Sequence, residues 1–126
     1  MREWAGKRYW LVGASEGLGR ALAHRLSRRG VEVILSARSR DRLQALADEL
    51  PGRARVVPVD VRDLASCKAA AEQAGEIDGV VYLAGVYEPL AAQHWDPEQV
   101  ELMCDINFTG CARVLGHVVP GFIERD

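Results

Sequence analysis

The chain has 126 residues with a net charge of −2, 48% hydrophobic and 27% charged side chains, which suits one soluble domain with a real core and leaves no room for a second. No apolar run approaches the roughly 18 residues a membrane span needs. The opening Met1-Arg2-Glu3-Trp4-Ala5-Gly6-Lys7-Arg8 lacks the apolar core of a signal peptide, so a cytoplasmic protein without membrane contact is expected.

Arg8 to Val12 is a short β-rich run ending in glycine, after which Leu18, Ala21, Leu22 and Leu26 recur at helical spacing until Gly30. Val31 to Ser36 predicts a second strand. Ser39 is placed to cap a helix with Leu43, Leu46 and Leu50 on its apolar face, closed by Pro51-Gly52. Arg55 to Val59 predicts a third strand, and Pro58 points to a sheet edge because proline cannot donate to a ladder. A small alanine-rich helix, Asp63 to Ala74, ends at Gly75. Gly79 to Ala84 follows as a fourth strand, apolar without alternation, as expected where both faces are covered.

After a loop of about eleven residues, Asp96-Pro97 supplies an N-cap and a proline at the first helical position. One helix of about 28 residues is expected from there onward, with Val100, Met103, Cys104, Asn107, Cys111, Val114 and Val118 on one face. Leu102, Ile106, Phe108, Leu115, Val119 and Phe122 make much of the remainder apolar, so this helix wants two neighbours. Pro120 is expected to bend it, with Gly116 at the position whose carbonyl the ring crowds. Four strands alternating with helices predict an α/β fold of three layers, a doubly wound parallel sheet in the order 3-2-1-4, occupying residues 1–126 as one domain.

Charge is unevenly spread: residues 20–62 hold ten arginines against five acids, while acids dominate residues 63–126. The arginines lack interleaved aromatics, so the patch reads as a site for a small polyphosphate and not for nucleic acid. Cys67, Cys104 and Cys111 form no even framework and are expected as reduced, buried thiols. His24, His94 and His117 stand at no ligand spacing with a cysteine or carboxylate, and no metal site is expected.

Gly13, Gly17 and Gly19, in Gly13-Ala14-Ser15-Glu16-Gly17-Leu18-Gly19, fall between a strand and a helix, where bare backbone N–H groups can hold a pyrophosphate at the helix's positive end. The spacing Gly-x-x-x-Gly-x-Gly is similar to that of the short-chain dehydrogenase/reductase family, and three further stretches add to the resemblance. Ala37-Arg38-Ser39 ends the second strand, where the family's adenosine ribose lies; an acid there would repel a 2′-phosphate, whereas Ala37 followed by Arg38 looks like the NADP-preferring members. Arg40 and Arg42 add field strength or are simply solvated at a helix start. Glu16 cuts the other way, standing where many NADP-binding relatives carry a basic side chain.

Asp60-Val61 resembles the pair that meets the adenine, with helix capping as the competing role for Asp60. Tyr82-Leu83-Ala84-Gly85 takes the place of the family's Asn-Asn-Ala-Gly; Ala84 and Gly85 match, with Val86 beside them, and Tyr82 and Leu83 depart. Asn107 matches the helix asparagine that the family uses in its proton relay, although a purely structural amide is the plainer reading.

The resemblance implies a Rossmann-type, NADP(H)-binding domain preferring NADP(H) over NAD(H), with Gly13, Ser15, Glu16, Gly17, Leu18, Gly19, Ala37, Arg38, Ser39, Asp60, Val61, Ala84, Gly85 and Val86 around the cofactor. It corresponds to the N-terminal half of a family member. The family's catalytic Tyr-x-x-x-Lys is absent from these residues: Tyr9, Tyr82 and Tyr87 have Gly13, Val86 and Ala91 four places on. Hydride transfer between NADP(H) and a carbonyl or alcohol is therefore expected to need further residues, and a non-catalytic dinucleotide-binding or interaction module is the alternative. An uncharged, proline-free fourth strand left as an edge is expected to be covered, by a second copy or a complementing chain packed on it and on helix 97–125.

Overall fold

A computed structural model describes residues 3–125. The sheet has four parallel strands: β1 (Arg8–Val12), β2 (Glu32–Ser36), β3 (Ala54–Val56) and β4 (Gly79–Tyr82), in the spatial order β3-β2-β1-β4. Helices α1 (Gly17–Arg28), α2 (Arg40–Glu49) and α3 (Leu64–Ala74) make the crossovers between successive strands. The expected topology is therefore the observed one, and register is fixed by pairs such as Leu11 with Leu35 and Leu11 with Val81.

Alternation within the strands feeds two cores. Leu11, Val33 and Leu35 turn to one face and pack with Ala23, Leu26, Leu43 and Leu46 of α1 and α2. Trp10, Val12 and Ile34 turn to the other and meet Cys67 and Ala70 of α3 together with Val114 and Val118. Burying such side chains on both faces is what makes the central strands apolar throughout, at about 25 cal/mol per Å² removed from water. In β4, Val80 joins one core and Val81 the other, as the unalternated run implied.

Beyond Val56 the chain still follows β2, with Val57 N–H donating to the Leu35 carbonyl and Val59 N–H to that of Ala37, both at 2.9 Å. Pro58 lies between these donors on an outer strand, where its missing N–H removes nothing the sheet requires.

The long C-terminal helix differs from expectation in its middle. It runs as α4 (Pro97–Cys104), a π turn (Asp105–Thr109) and α5 (Gly110–Arg125), with the helix continuing through Pro120. A π turn inserts one residue into the helical count and rotates everything before it relative to everything after it. The stripe read at strict α spacing therefore slips by one: Gly110, Val114 and Val118 face the core, but Ile106 packs there in place of Asn107, which is exposed. Cys104 is exposed for the same reason and Cys111 is half-buried, so only Cys67 is the buried thiol expected of all three.

A second slip occurs in α1. Its buried residues are Gly19, Ala23, Leu26 and Ser27, while Leu18 is 74% exposed and Ala21 also faces solvent. Gly19 takes the inward place because the turn before α1 presses directly against it. Among the described residues, no helix is long and apolar enough to cross a membrane.

Candidate functional site

The site is a cleft over the C-terminal ends of the strands, where an open parallel sheet exposes loops and helix N-termini together. Its floor begins at the turn from β1 into α1. Gly13 has φ +99°, and a Cβ there would drive into the backbone between Leu83 and Ala84. Its N–H and that of Ala14 both reach the Ser36 carbonyl, at 2.7 and 3.1 Å, tying the turn to the end of β2. A Cβ on Gly19 would collide with the Gly13 carbonyl, so the first helical turn packs on the loop without a gap.

Gly17 is different: its φ of +58° would strain an ordinary residue, but the space where a Cβ would stand is open. This bare backbone at the positive end of α1 is what an anion needs. Glu16 occupies the N-cap position yet makes no side-chain cap; its carboxylate lies 3.7 Å from the Arg42 guanidinium. Gly17 and Leu18 start α1 beside the cleft, both exposed.

The opposite wall comes from the ends of β2 and β3. Ala37, Arg38 and Ser39 line it, with Arg42 one turn into α2. Ser39 caps α2 by accepting from the Arg42 N–H at 3.3 Å, which fixes where both arginines start. Arg40, at the start of the same helix, is exposed and lies outside the lining.

Asp60 and Val61 come next along the chain. The helix cap after them is Asp63, whose Oδ1 accepts from Ala65 N–H, so the capping role considered for Asp60 falls to another residue. Asp60 instead faces Arg62: Oδ1 accepts from the Arg62 backbone and Nε, each at 3.0 Å, and Oδ2 from Nη2 at 2.9 Å. That pairing holds the Asp60 carboxyl below its ordinary range, partial burial opposes it, and the more distant charge of Arg38 adds to the lowering. Sequence reasoning does not single out Arg62 as part of the site; its position two residues after Asp60, on the turn into α3, is the available signal.

The third side is Ala84, Gly85 and Val86, which leave the end of β4 and enter the lining beside Ile106. Asn107 reaches the loop that follows β4. From the exposed π turn its Oδ1 accepts from Val86 N–H at 2.7 Å and its Nδ2 donates to the Val86 carbonyl at 2.8 Å, a two-point clamp on that loop. Gly85 lies underneath, where a Cβ would come within 3.3 Å of the same oxygen. Tyr82, one of the two departures at this strand end, sends its hydroxyl to the Ile106 carbonyl at 2.6 Å. Trp10 is fully buried below the floor and donates from Nε1 to the Ser36 hydroxyl at 2.7 Å, one residue removed from the glycine turn.

The strand ends thus bring Gly13, Ser15 and Glu16, then Ala37, Arg38 and Ser39, then Asp60 and Val61, and finally Ala84, Gly85 and Val86 around one opening. The chemistry offered is that of an anion and base binder: backbone donors on one side and three guanidinium groups opposite, of which Arg42 faces the Glu16 carboxylate and Arg62 that of Asp60.

Known proteins share this fold and sequence. An oxidoreductase of Myxococcus xanthus, described as uncharacterized, is 38% identical over 99% of this chain and 52% of its own length. A sulfoacetaldehyde reductase of Chromohalobacter salexigens is 34% identical over 91% of this chain and 48% of its own. Among solved structures, a short-chain type dehydrogenase/reductase from Mycobacterium marinum superposes with a TM-score of 0.91 at 28% identity, covering 98% of this chain and 53% of that one. The chain spans about half the length of the curated relatives it matches. Because the profile of the short chain dehydrogenases matches residues 7–126, nearly the whole sequence, the chain belongs to the short-chain dehydrogenase family.

Proposed function

We propose that this chain is the NADP(H)-binding part of a short-chain dehydrogenase/reductase-type oxidoreductase, acting between NADP(H) and a carbonyl or alcohol substrate. Family membership implies a nicotinamide dinucleotide. The observation that carries the preference for NADP(H) is the end of β2, where Ala37 stands in place of a carboxylate and Arg38 lines the opening with Arg42 and Arg62 close by. A carboxylate there would accept the ribose hydroxyls and repel a 2′-phosphate; a guanidinium does the reverse.

In this reading the N–H groups of Gly17 and Leu18 at the start of α1 hold the diphosphate, those of Gly13 and Ala14 being bonded to the Ser36 carbonyl; Asp60 and Val61 meet the adenine edge, and Arg38 with Ser39 takes the 2′-phosphate. Asn107 fixes Val86 and, through it, the loop leading from β4 toward the nicotinamide. When bound, the nicotinamide supplies hydride chemistry. The Ser and Tyr-x-x-x-Lys that move the proton in this family are not among these 126 residues, so turnover is assigned to the protein with those groups present. The outer edge of β4 and the outer face of α5 are proposed to be covered by a second copy or a complementing chain.

The test is a titration of NADPH and NADH followed by calorimetry and by tryptophan emission, since Trp10 lies under the glycine turn. NADPH is expected to bind about ten- to a hundredfold tighter than NADH, the value of one charge-assisted phosphate contact. Arg38→Ala should remove most of that ratio while leaving NADH binding near its original strength. A folded protein that binds neither cofactor removes the reading, and binding without turnover in the longest natural form of the protein favours the non-catalytic module.

A further inference from the structure

We infer that Arg113 is a positioning residue that holds the two lips of the cleft in one register, so that the adenine end and the Val86 end of the site respond to each other. The inference rests on the cofactor-binding reading above and deepens it.

Arg113 lies on the first turn of α5 with its side chain 20% exposed. Its Nη1 donates to the Val61 carbonyl at 2.9 Å, and its Nη2 donates to Asp105 Oδ1 at 2.7 Å. Val61 is part of the adenine side of the cleft, and its side chain packs where Gly110 leaves room, since a Cβ on Gly110 would come within 3.1 Å of Val61 Cγ2. Asp105 opens the π turn, and two residues later Asn107 grips Val86 through both of its polar atoms. One planar guanidinium therefore joins the backbone of one lip to the turn that holds the other.

Two observations separate this from plain support of the fold. The docking of α5 on the core is already supplied by Gly110, Val114 and Val118, which are buried, whereas both of the acceptors named for Arg113 belong to elements of the cleft. A second ion pair, Arg62 with Asp60 at 2.9 Å, stands on the Val61 side of the cleft next to the carbonyl that Arg113 holds. A fork with two donors in fixed geometry can satisfy a carbonyl and a carboxylate together, while a lysine reaches one of them. The element between the two grips is a π turn, a form that recurs at functional sites.

The experiment compares the wild-type protein with Arg113→Met, Arg113→Lys and Asn107→Ala, reading amide exchange without ligand and NADPH affinity with it. Arg113→Met is expected to speed exchange at the Val86 amide by about tenfold while Ile34 and Leu35 keep their rates, and to weaken NADPH by about tenfold. Arg113→Lys should fall between. Asn107→Ala should cost clearly less in the Arg113→Met background than alone, because the clamp is already loosened. If Arg113→Met does not fold, Asp105→Asn takes its place, with the same direction expected. Unchanged Val86 exchange in a folded variant, or costs of the two substitutions that simply multiply, overturns the inference. Wild-type protein that binds neither NADPH nor NADH sinks the cofactor reading, and the exchange measurement then still decides the coupling by itself.

Discussion

Gly13 and Gly17 stand four residues apart in the same turn, and a methyl group added to each should fail in a different way. At Gly13 the substitution combines a left-handed backbone with a collision against the Leu83–Ala84 peptide, a strand end that cannot retreat without disturbing β4. Strain of about 1–2 kcal/mol and overpacking of about 1–3 kcal/mol then act together, so Gly13→Ala should lower unfolding stability by about 3 kcal/mol. At Gly17 only the strain remains, because the space is open. Gly17→Ala should cost about 1–2 kcal/mol in urea denaturation. Yet it should weaken NADPH at least as much as Gly13→Ala does per folded molecule, since its methyl occupies the place proposed for the diphosphate. Equal binding losses with equal stability losses would show that the two glycines do the same job and that the open space means nothing. At this scale much is legible in advance: glycine spacing, Ala37-Arg38 and Asp60 are local signals. Arg62 and Arg113 are not, because what gives them meaning is a partner brought near by the fold, the Asp60 carboxylate in one case and the Val61 carbonyl 52 residues away in the other.

Tyr82 shows how one side chain ties two elements. It replaces a small polar residue expected at the end of β4 and sends its hydroxyl into the π turn, to the Ile106 carbonyl, with Gly110 leaving the room it needs. Burial is the main reason its pKa is pushed up to about 12, with the thiols of Cys111 and Cys67 contributing and Arg113 opposing. An unfolded tyrosine titrates near pH 10. The folded state therefore holds its proton more tightly, so the contribution is fully present below about pH 10 and is lost as pH rises through about 12. Tyr82→Phe should lower stability by about 1 kcal/mol at pH 8, the value of a hydrogen bond, and the gap between the two proteins should narrow as urea midpoints are tracked from pH 10 to 11.5. A constant gap over that range would mean the phenol is not protected as described. The sequence pattern could not reveal this tie, nor the π turn beside it. Hydrophobic spacing reports a helix only at a fixed period, and one inserted residue changes which face Cys104, Ile106 and Asn107 occupy without changing any residue's identity.

For the molecule as a whole, the consequence lies at the β4 side of the sheet. Among the described residues β4 pairs only with β1, which leaves its outer N–H and C=O groups without a strand partner, and Val80, Val81 and Tyr82 carry no charge to discourage another strand. Such an edge templates association. Nearby, the long C-terminal helix exposes Phe108 at 77% and Ile123 at 72%, with Val119 and Leu115 also open, an apolar row that water does not favour. This weakness is visible in the sequence, because a strand rich in valine and a helix apolar on two sides both require neighbours. What the sequence leaves open is which face of the helix remains uncovered, and the π turn decides that. The purified chain should therefore sediment above its monomer mass of 13.9 kDa at micromolar concentration. Ile123→Glu should shift it toward the monomer by placing a charge in the row, while Glu124→Gln, a neighbouring change that adds no charge, should leave association in place. A monodisperse monomer whose Val81 amide exchanges slowly would show instead that the edge is protected within a single chain.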